Sequence, residues 1–189
     1  MVFVSGMMVA NGRGMIKGSF ALFAVLFSGI ISAQQRFPTL SGETAEGKQV
    51  SLPLTSSKGY TIIGLAYSQK AQPALEDWFE PAYLRFVAKH GLFAGAYHCD
   101  IFFVPLFTGM NKAAYEPSMR RFRKSTSPQV VDHVVFVKAE LDQLKEALDL
   151  TSKDQPYFFV LDKEGRIIHR VHGAFTEEQL EAMEEVMLR

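Results

Sequence analysis

Thiol chemistry has a single candidate in this sequence of 189 residues, because Cys99 is its only cysteine. One cysteine cannot close an internal disulfide or form a Cys-x-x-Cys redox pair. A catalytic cysteine also needs a lowered pKa, which a helix N-terminus or nearby cations provide. Cys99 instead begins an apolar stretch, where a single cysteine is typically a small buried hydrophobe. We therefore predict no catalytic residue; the alternative is a thiol oxidoreductase or peroxidase that uses Cys99.

Metal chemistry would have to rest on five histidines. His169 and His172 lie three residues apart on a predicted strand, and residues at that spacing point to opposite faces. His98 and His133 fall on separate predicted strands, without a cluster of carboxylates beside them. Ser68, which follows another predicted strand, has no base at a recognisable spacing and is interpreted as a turn or cap residue. The sequence therefore predicts neither a metal ion nor another cofactor.

The densest group of basic residues is a candidate binding surface. It consists of Arg120, Arg121, Arg123 and Lys124 around Phe122. Such a run can bind a phosphate, a lipid headgroup or an acidic partner. The alternative, which we favour, is a set of solvated charges that complement the C-terminal dipole of a helix. The whole chain has 20 basic and 20 acidic residues, which argues against a nucleic acid partner.

The first 33 residues have the pattern of a secretory signal peptide. They contain Arg13, Lys17 and no acidic residue, and an apolar run covers residues 19–31. A positive segment, an apolar segment and a small residue before the cut are typical of such peptides. A membrane anchor is the alternative, but a spanning helix needs about 20 apolar residues. We predict removal of residues 1–33 and a periplasmic or other extracytoplasmic location, with translation starting at Met1 or Met15.

The remaining residues, 37–189, are predicted to form one α/β domain. Strands are predicted at 49–53, 60–67, 98–107, 130–137, 157–161 and 166–171, and helices at 72–89, 110–125 and 141–148. Pro81 should split the first helix, because proline disrupts a helix interior. Thr176 and Gln179 fit a capping box that begins the last helix. Leu180 and Met183 mark the buried face of that helix, and Glu184 is expected in solvent.

This order of elements resembles the thioredoxin fold, with a central mixed β-sheet flanked by helices and a C-terminal hairpin and helix. In that fold a cis-proline precedes the hairpin, and the resemblance assigns this role to Pro156. The redox cysteines of the fold would stand at Ser68 and Ala71. The resemblance therefore implies the fold without its dithiol chemistry.

A closer resemblance is to the thioredoxin-like family that includes the mitochondrial ATP-synthase assembly chaperone and its bacterial relatives. It rests on Phe37-Pro38, Leu52-Pro53, Ala71-Gln72 with Trp78, the segment 121–124 and the segment 158–167. It implies binding or assembly of a client protein rather than turnover. The basic run adds possible proximity to a membrane surface as a separate expectation, and no cofactor is expected. We expect the client to occupy a groove formed by Ser68, Gln69, Lys70, Ala71 and Gln72 together with Gln155, Pro156 and Tyr157.

Overall fold

The computed structural model describes residues 35–54, 59–93, 95–125 and 128–189, which form a seven-stranded sheet with helices on both faces. The strands are β1 Leu40–Thr44, β2 Gln49–Leu52, β3 Tyr60–Ala66, β4 Cys99–Phe107, β5 Val135–Lys138, β6 Tyr157–Leu161 and β7 Ile167–His172. The helices are α1 Gln72–Glu76, α2 Phe79–Ala82, α3 Tyr115–Ser125, α4 Pro128–Val131, α5 Leu141–Leu148 and α6 Glu177–Met187. A π-helical turn covers Tyr83–Val87, and a 3-10 segment covers Gly109–Ala114.

The strand order is β2-β1-β5-β4-β3-β6-β7. Strands β3, β4 and β5 are parallel, while β6, β7, β1 and β2 join the sheet by antiparallel pairing. The predicted mixed sheet with a C-terminal hairpin and helix is therefore confirmed. The predicted signal peptide lies outside the described residues. Within those residues, no helix has the length and apolar character needed to cross a membrane.

Two apolar cores lie on the two faces of the sheet, because successive residues of a strand point to opposite sides. On β3, Ile62 faces the core that contains α1, α3 and α6, and Ile63 faces the core that contains α5. Both side chains are fully buried. A central strand covered on both faces reads as a continuous apolar run, and this is why β3 could be predicted.

The predicted helix over 72–89 is split, as expected, but the break precedes Pro81. α1 ends at Glu76, and α2 begins at Phe79, which places Pro81 in the first turn of a new helix. In a first turn the missing N–H of proline has no partner to lose. Pro105 is accommodated within β4 in a comparable way. It falls between an isolated bridge at Phe103 and the β4–β5 ladder that begins at Leu106.

Two strand predictions differ from the structure. The predicted strand over 130–137 begins only at Val135, because Val130 and Val131 lie in α4 and are buried there. The first strand, β1, was not predicted, since its Ser-Gly-Glu-Thr segment has little of the β-branched and aromatic character typical of strands. Gly42 is required in β1, because a Cβ at this position would lie 2.3 Å from the carbonyl oxygen of Phe136.

Two local predictions near the C-terminal hairpin differ from the structure: the cis Pro156 bond is wrong, and the capping box is confirmed in part. The cis peptide bond in the described residues is Leu52–Pro53, and Gln155–Pro156 is not cis. The trans form is the lower-energy isomer of an X–Pro bond, and in it the Pro156 carbonyl accepts a hydrogen bond from the Gly173 N–H at 3.0 Å. The capping box is half formed. Thr176 Oγ1 accepts from the Gln179 N–H, but the Gln179 amide donates to the His172 carbonyl instead of returning to the cap.

Candidate functional site

A groove of about 750 Å³ opens where β3 and β4 end, between α1 and α3. We call it the α1–α3 groove. It is lined by Ala66, Ser68, Gln69, Gln72, Pro73, Glu76, Phe79, Pro105, Leu106, Phe107, Asn111, Ala114, Ser118, Arg121, Phe122 and Ser125. In α/β sheets, ligands bind preferentially outside the carboxyl ends of the strands. The groove therefore lies at the edge of the sheet where a binding site is expected.

Aromatic side chains form an apolar part of the groove. The Phe79 ring centroid lies 4.5 Å from that of Phe103 and 6.2 Å from that of Phe122. Phe122 in turn packs edge-on against Phe136 of β5, with ring centroids 5.5 Å apart. These contacts anchor both walls to the core. The groove therefore presents fixed apolar surface, which favours apolar side chains of a ligand.

One residue of the predicted basic patch contributes to the groove. Arg121 lines it, and in the part of the chain that the structure describes no carboxylate forms an ion pair with its guanidinium. Arg123 turns away and donates its Nε–H to the Ala45 carbonyl. Arg120 and Lys124 are exposed outside the groove lining. The run therefore divides into one groove cation, one structural contact and two solvated charges.

The two predicted halves of the partner site are adjacent. Ser68 Oγ donates to the Lys153 carbonyl and accepts from the Ala71 N–H at 3.3 Å, which supports its interpretation as a turn residue. Tyr67 stacks on Tyr157 with ring centroids 6.4 Å apart.

The exposure of the predicted residues divides them into two groups. Ala71, Pro156 and Tyr157 are buried, whereas Gln69, Lys70 and Gln155 are exposed and Ser68 and Gln72 are partly exposed. Only Ser68, Gln69 and Gln72 of the predicted set line the α1–α3 groove. The groove therefore extends from Ser68 toward α3, and Pro156 lies outside its lining.

Cys99 lies at the other end of the sheet. It is the first residue of β4 and pairs with Tyr60, whereas the groove begins at Pro105. The two positions are six residue steps apart along β4, or about 20 Å at about 3.3 Å per residue. Burial raises the pKa of the Cys99 thiol, and the charge of Asp100 raises it further. This environment favours the thiol over the nucleophilic thiolate.

The raised pKa of Cys99 predicts a loss of stability at alkaline pH. The folded state keeps the thiol proton above about pH 8.5, where an unfolded cysteine releases it. This contribution is complete below that pH and is lost as the pH rises toward the folded pKa. The unfolding free energy, measured with urea, should fall between about pH 9 and about pH 10. We expect this fall to be smaller in Cys99→Ala than in the unchanged protein, by about 1 kcal/mol. Identical slopes for the two proteins would contradict this prediction.

Among the described residues, neither the histidines nor the β1–β2 hairpin with Gly42 and Gly47 forms a recognisable ligand site. No group of three or more metal-ligating side chains occurs among residues 35–189 where they are described. His133 Nδ1 instead lies 2.9 Å from the Ile101 carbonyl oxygen. Gly42, Gly47 and Lys48 have the spacing of a phosphate loop, but Gln49 follows in place of Ser or Thr, and the segment joins β1 to β2.

Apart from Arg121, sequence reasoning missed the α3 side of the groove and its aromatic residues. Phe79 and Phe122 were interpreted only as parts of helices, and Asn111 and Ser118 were not considered. The available signal was topological. Two neighbouring parallel strands ending at Ala66 and Phe107 predict a crevice at their carboxyl ends.

Comparison with known proteins identifies the family and the fold. The model of the ATP10 protein family matches residues 32–189. A comparison with curated protein sequences gave no match. The chain is similar to the solution structure of a thiol:disulfide interchange protein from Bacteroides sp., with 16% identity, TM-score 0.52, and coverage of 82% of this chain and 89% of that one.

Two further solved structures have the same fold. StoA from Bacillus subtilis is 18% identical with TM-score 0.51, over 78% of this chain and 96% of that one. An uncharacterized conserved protein from Geobacillus kaustophilus is 14% identical with TM-score 0.56, over 82% of this chain and 81% of that one. These likenesses establish a thioredoxin-like fold for the chain.

Proposed function

Since the chain belongs to the ATP10 protein family and has a thioredoxin-like fold, we propose that it binds another protein and assists its assembly into a complex. The observation that supports this most directly is the α1–α3 groove. It combines fixed aromatic surface with polar side chains and Arg121, which forms no ion pair with a described residue, and its lining contains no thiol. Such a surface suits contact with a polypeptide without covalent chemistry.

Redox inactivity is part of this proposal. Ser68 and Ala71 stand where the resemblance places the two cysteines of an active thioredoxin, and Cys99 is about 20 Å away along the strand. A mixed disulfide with a client therefore has no thiol to start from at the groove. Binding there is noncovalent and reversible, as holding and releasing a client requires.

The groove indicates the chemistry of the client segment. Phe79 and Phe122 offer apolar surface, and the Arg121 guanidinium offers donors to a carboxylate. We propose a segment with apolar side chains beside an Asp, a Glu or a free C-terminus. Subunits of ATP synthase are the first candidates to test, because the sequence resembles a family that includes an assembly chaperone of that complex.

A photo-crosslinking experiment tests groove binding. A crosslinking amino acid at Gln69, which is exposed and lines the groove, should capture one specific protein in the source cells. The same group at Gln143, exposed on α5 on the opposite face of the sheet, should not capture it. The captured protein should be a subunit of a multisubunit complex, identified by mass spectrometry.

Neighbouring arginines provide a matched pair of variants for this experiment. We expect Arg121→Glu to reduce the Gln69 crosslink about tenfold, because loss of a charge-assisted contact costs about 1.5 kcal/mol before repulsion is added. Arg120→Glu makes the same charge change one residue away, outside the groove lining, and should leave the crosslink unchanged. Equal effects of the two variants, or equal labelling at Gln69 and Gln143, would refute a client site in this groove.

We further propose that the protein is exported and that residues 1–33 are removed. The proposal rests on the basic start, the apolar run and the small residues of that segment. N-terminal sequencing of the protein from its source cells should give a chain that starts close to Gln34. Retention of Met1 or Met15 would contradict export by cleavage of this segment.

A further inference from the structure

A second groove, of about 700 Å³, lies against α6. We call it the α6 groove. It is lined by Arg85, His90, Gly91, Leu92, Phe93, Glu178, Glu181, Ala182, Glu184, Glu185 and Leu188. None of these residues lines the α1–α3 groove, so the two surfaces are distinct. One wall of the α6 groove is the loop segment 90–93, which precedes β4. The α1–α3 groove lies where β4 ends.

Exposed apolar side chains gather at the α6 groove. Leu92 is 98% exposed, Phe93 is 49% exposed and Leu188 is 38% exposed. These are three of the five large apolar residues with high exposure in the described ranges, and all three line one groove. Single exposed apolar residues are ordinary, but a local group of them marks an interaction surface.

Acidic side chains border this apolar surface. Glu178, Glu181 and Glu185 follow one another at helical spacing along α6 and are exposed. Arg189 pairs with Glu185 at 2.8 Å, but across residues 35–189, as far as they are described, Glu178 and Glu181 form no ion pair. The border therefore carries two carboxylates, those of Glu178 and Glu181, that are not neutralised by an ion pair with any described residue.

Buried polar contacts hold the two walls of the groove in place. Glu184 is 5% exposed and accepts hydrogen bonds from Arg85 at 2.8 Å and from the Tyr97 hydroxyl at 2.7 Å. Arg85 belongs to the π-helical turn, and Tyr97 follows the loop that carries Leu92 and Phe93. Both ends of this loop are therefore tied to α6. A preformed groove of this kind loses little conformational entropy when it binds a ligand.

We propose that the α6 groove docks an amphipathic helix of a protein partner whose polar border carries Lys or Arg. Leu92, Phe93 and Leu188 would contact the apolar face of that helix, and the glutamates would face its basic residues. From Glu178 to Glu185 the acidic stripe is about 10 Å long, at about 1.5 Å per residue. Basic residues at the same helical spacing on the partner match it. This site goes beyond the client groove and does not depend on it.

Three labelled peptides of about 18 residues, or five helical turns, provide the test by fluorescence anisotropy with the full chain. The first is an amphipathic peptide of Leu and Lys. The second has the same composition in a non-amphipathic order, and the third replaces each Lys by Glu. We expect the first to bind at least about tenfold more tightly than either of the others, with an affinity that falls as salt is added.

Paired variants locate the binding site. Leu92→Ser/Phe93→Ser should weaken the first peptide by about tenfold or more, because exposed apolar anchors carry much of the binding free energy of an interface. Glu178→Lys/Glu181→Lys should weaken it similarly and flatten the salt dependence. Two controls, Met110→Ser and Asp142→Lys/Glu146→Lys, change exposed residues outside the groove and should stay within about twofold. Circular dichroism checks that every variant is folded.

Three outcomes would overturn the proposal. The first is equal binding of the three peptides or no binding of the first, and the second is equal affinity of the groove variants and their controls. The third is self-association in sedimentation velocity that Leu92→Ser/Phe93→Ser abolishes, which would assign the groove to a second copy of this chain. Arg121→Glu should leave peptide affinity unchanged, so a failure here is distinct from a failure of the client groove.

Discussion

Replacing Trp78 by Ala is expected to lower the free energy of unfolding by about 4 kcal/mol. The indole is fully buried, and its ring centroid lies 4.2 Å from that of Phe158 and 5.2 Å from that of Phe175. Its Nε1–H donates to the Gly173 carbonyl at 3.2 Å. The substitution leaves a large cavity and an unpaired carbonyl where the helical segment meets the C-terminal hairpin.

Urea unfolding followed by far-ultraviolet circular dichroism measures this loss, since the variant has no other tryptophan to report by fluorescence. Trp78→Phe is the matched control. It retains an aromatic ring and removes the hydrogen bond, so we expect a smaller loss of about 1–2 kcal/mol. A loss below about 1 kcal/mol for Trp78→Ala would mean that Trp78 does not stabilise the packing of the helical segment against the C-terminal hairpin.

The second large effect is expected from Glu184→Leu, with a loss of about 3 kcal/mol. The substitution removes the carboxylate that accepts from both Arg85 and Tyr97. The partly buried Arg85 guanidinium keeps its ion pair with Glu177, and the buried Tyr97 hydroxyl is left without its acceptor. Removing one partner of a buried polar pair costs more free energy of unfolding than the intact pair contributes. The reason is that the remaining group stays buried away from water without that partner.

A double-mutant cycle separates this network from simple loss of packing. Tyr97→Phe alone should cost about 1 kcal/mol. The Tyr97 hydroxyl and the Glu184 carboxylate are hydrogen-bonded, so their contributions should be coupled. The loss of unfolding free energy in Glu184→Leu/Tyr97→Phe should therefore be smaller than the sum of the losses in the two single variants, by about 0.5 kcal/mol or more. Strict additivity would contradict the coupling. Glu184→Gln, which keeps an acceptor oxygen, should retain part of the stability.

The sequence predicted the elements whose signals are local and strong. The apolar run over Tyr60–Ala66 and the hairpin around Asp162 and Gly165 were predicted close to their observed bounds. In that hairpin Asp162 accepts from the N–H groups of Glu164 and Arg166, each at 2.9 Å, and this turn chemistry is readable without tertiary information.

Predictions failed where tertiary contacts decide the outcome. Glu184 was expected in solvent because charged residues are rarely buried, but Arg85 and Tyr97 reach it from a distant part of the chain. Val130 and Val131 favour a strand by propensity, yet the helical turn of α4 buries both of them. Arg121 and Arg123 are alike in sequence, and only packing determines which one lines the groove.

The broken helical segment from α1 to the π-helical turn contributes residues to both grooves. Gln72, Glu76 and Phe79 line the α1–α3 groove, and Arg85 lines the α6 groove. Where a ligand shifts this segment at one groove and thereby alters the other, thermodynamic linkage makes the change in affinity equal in both directions. If a client in the α1–α3 groove weakens binding of the partner at the α6 groove, that partner weakens binding of the client by the same factor. Such coupling would let one bound protein replace another without an energy source.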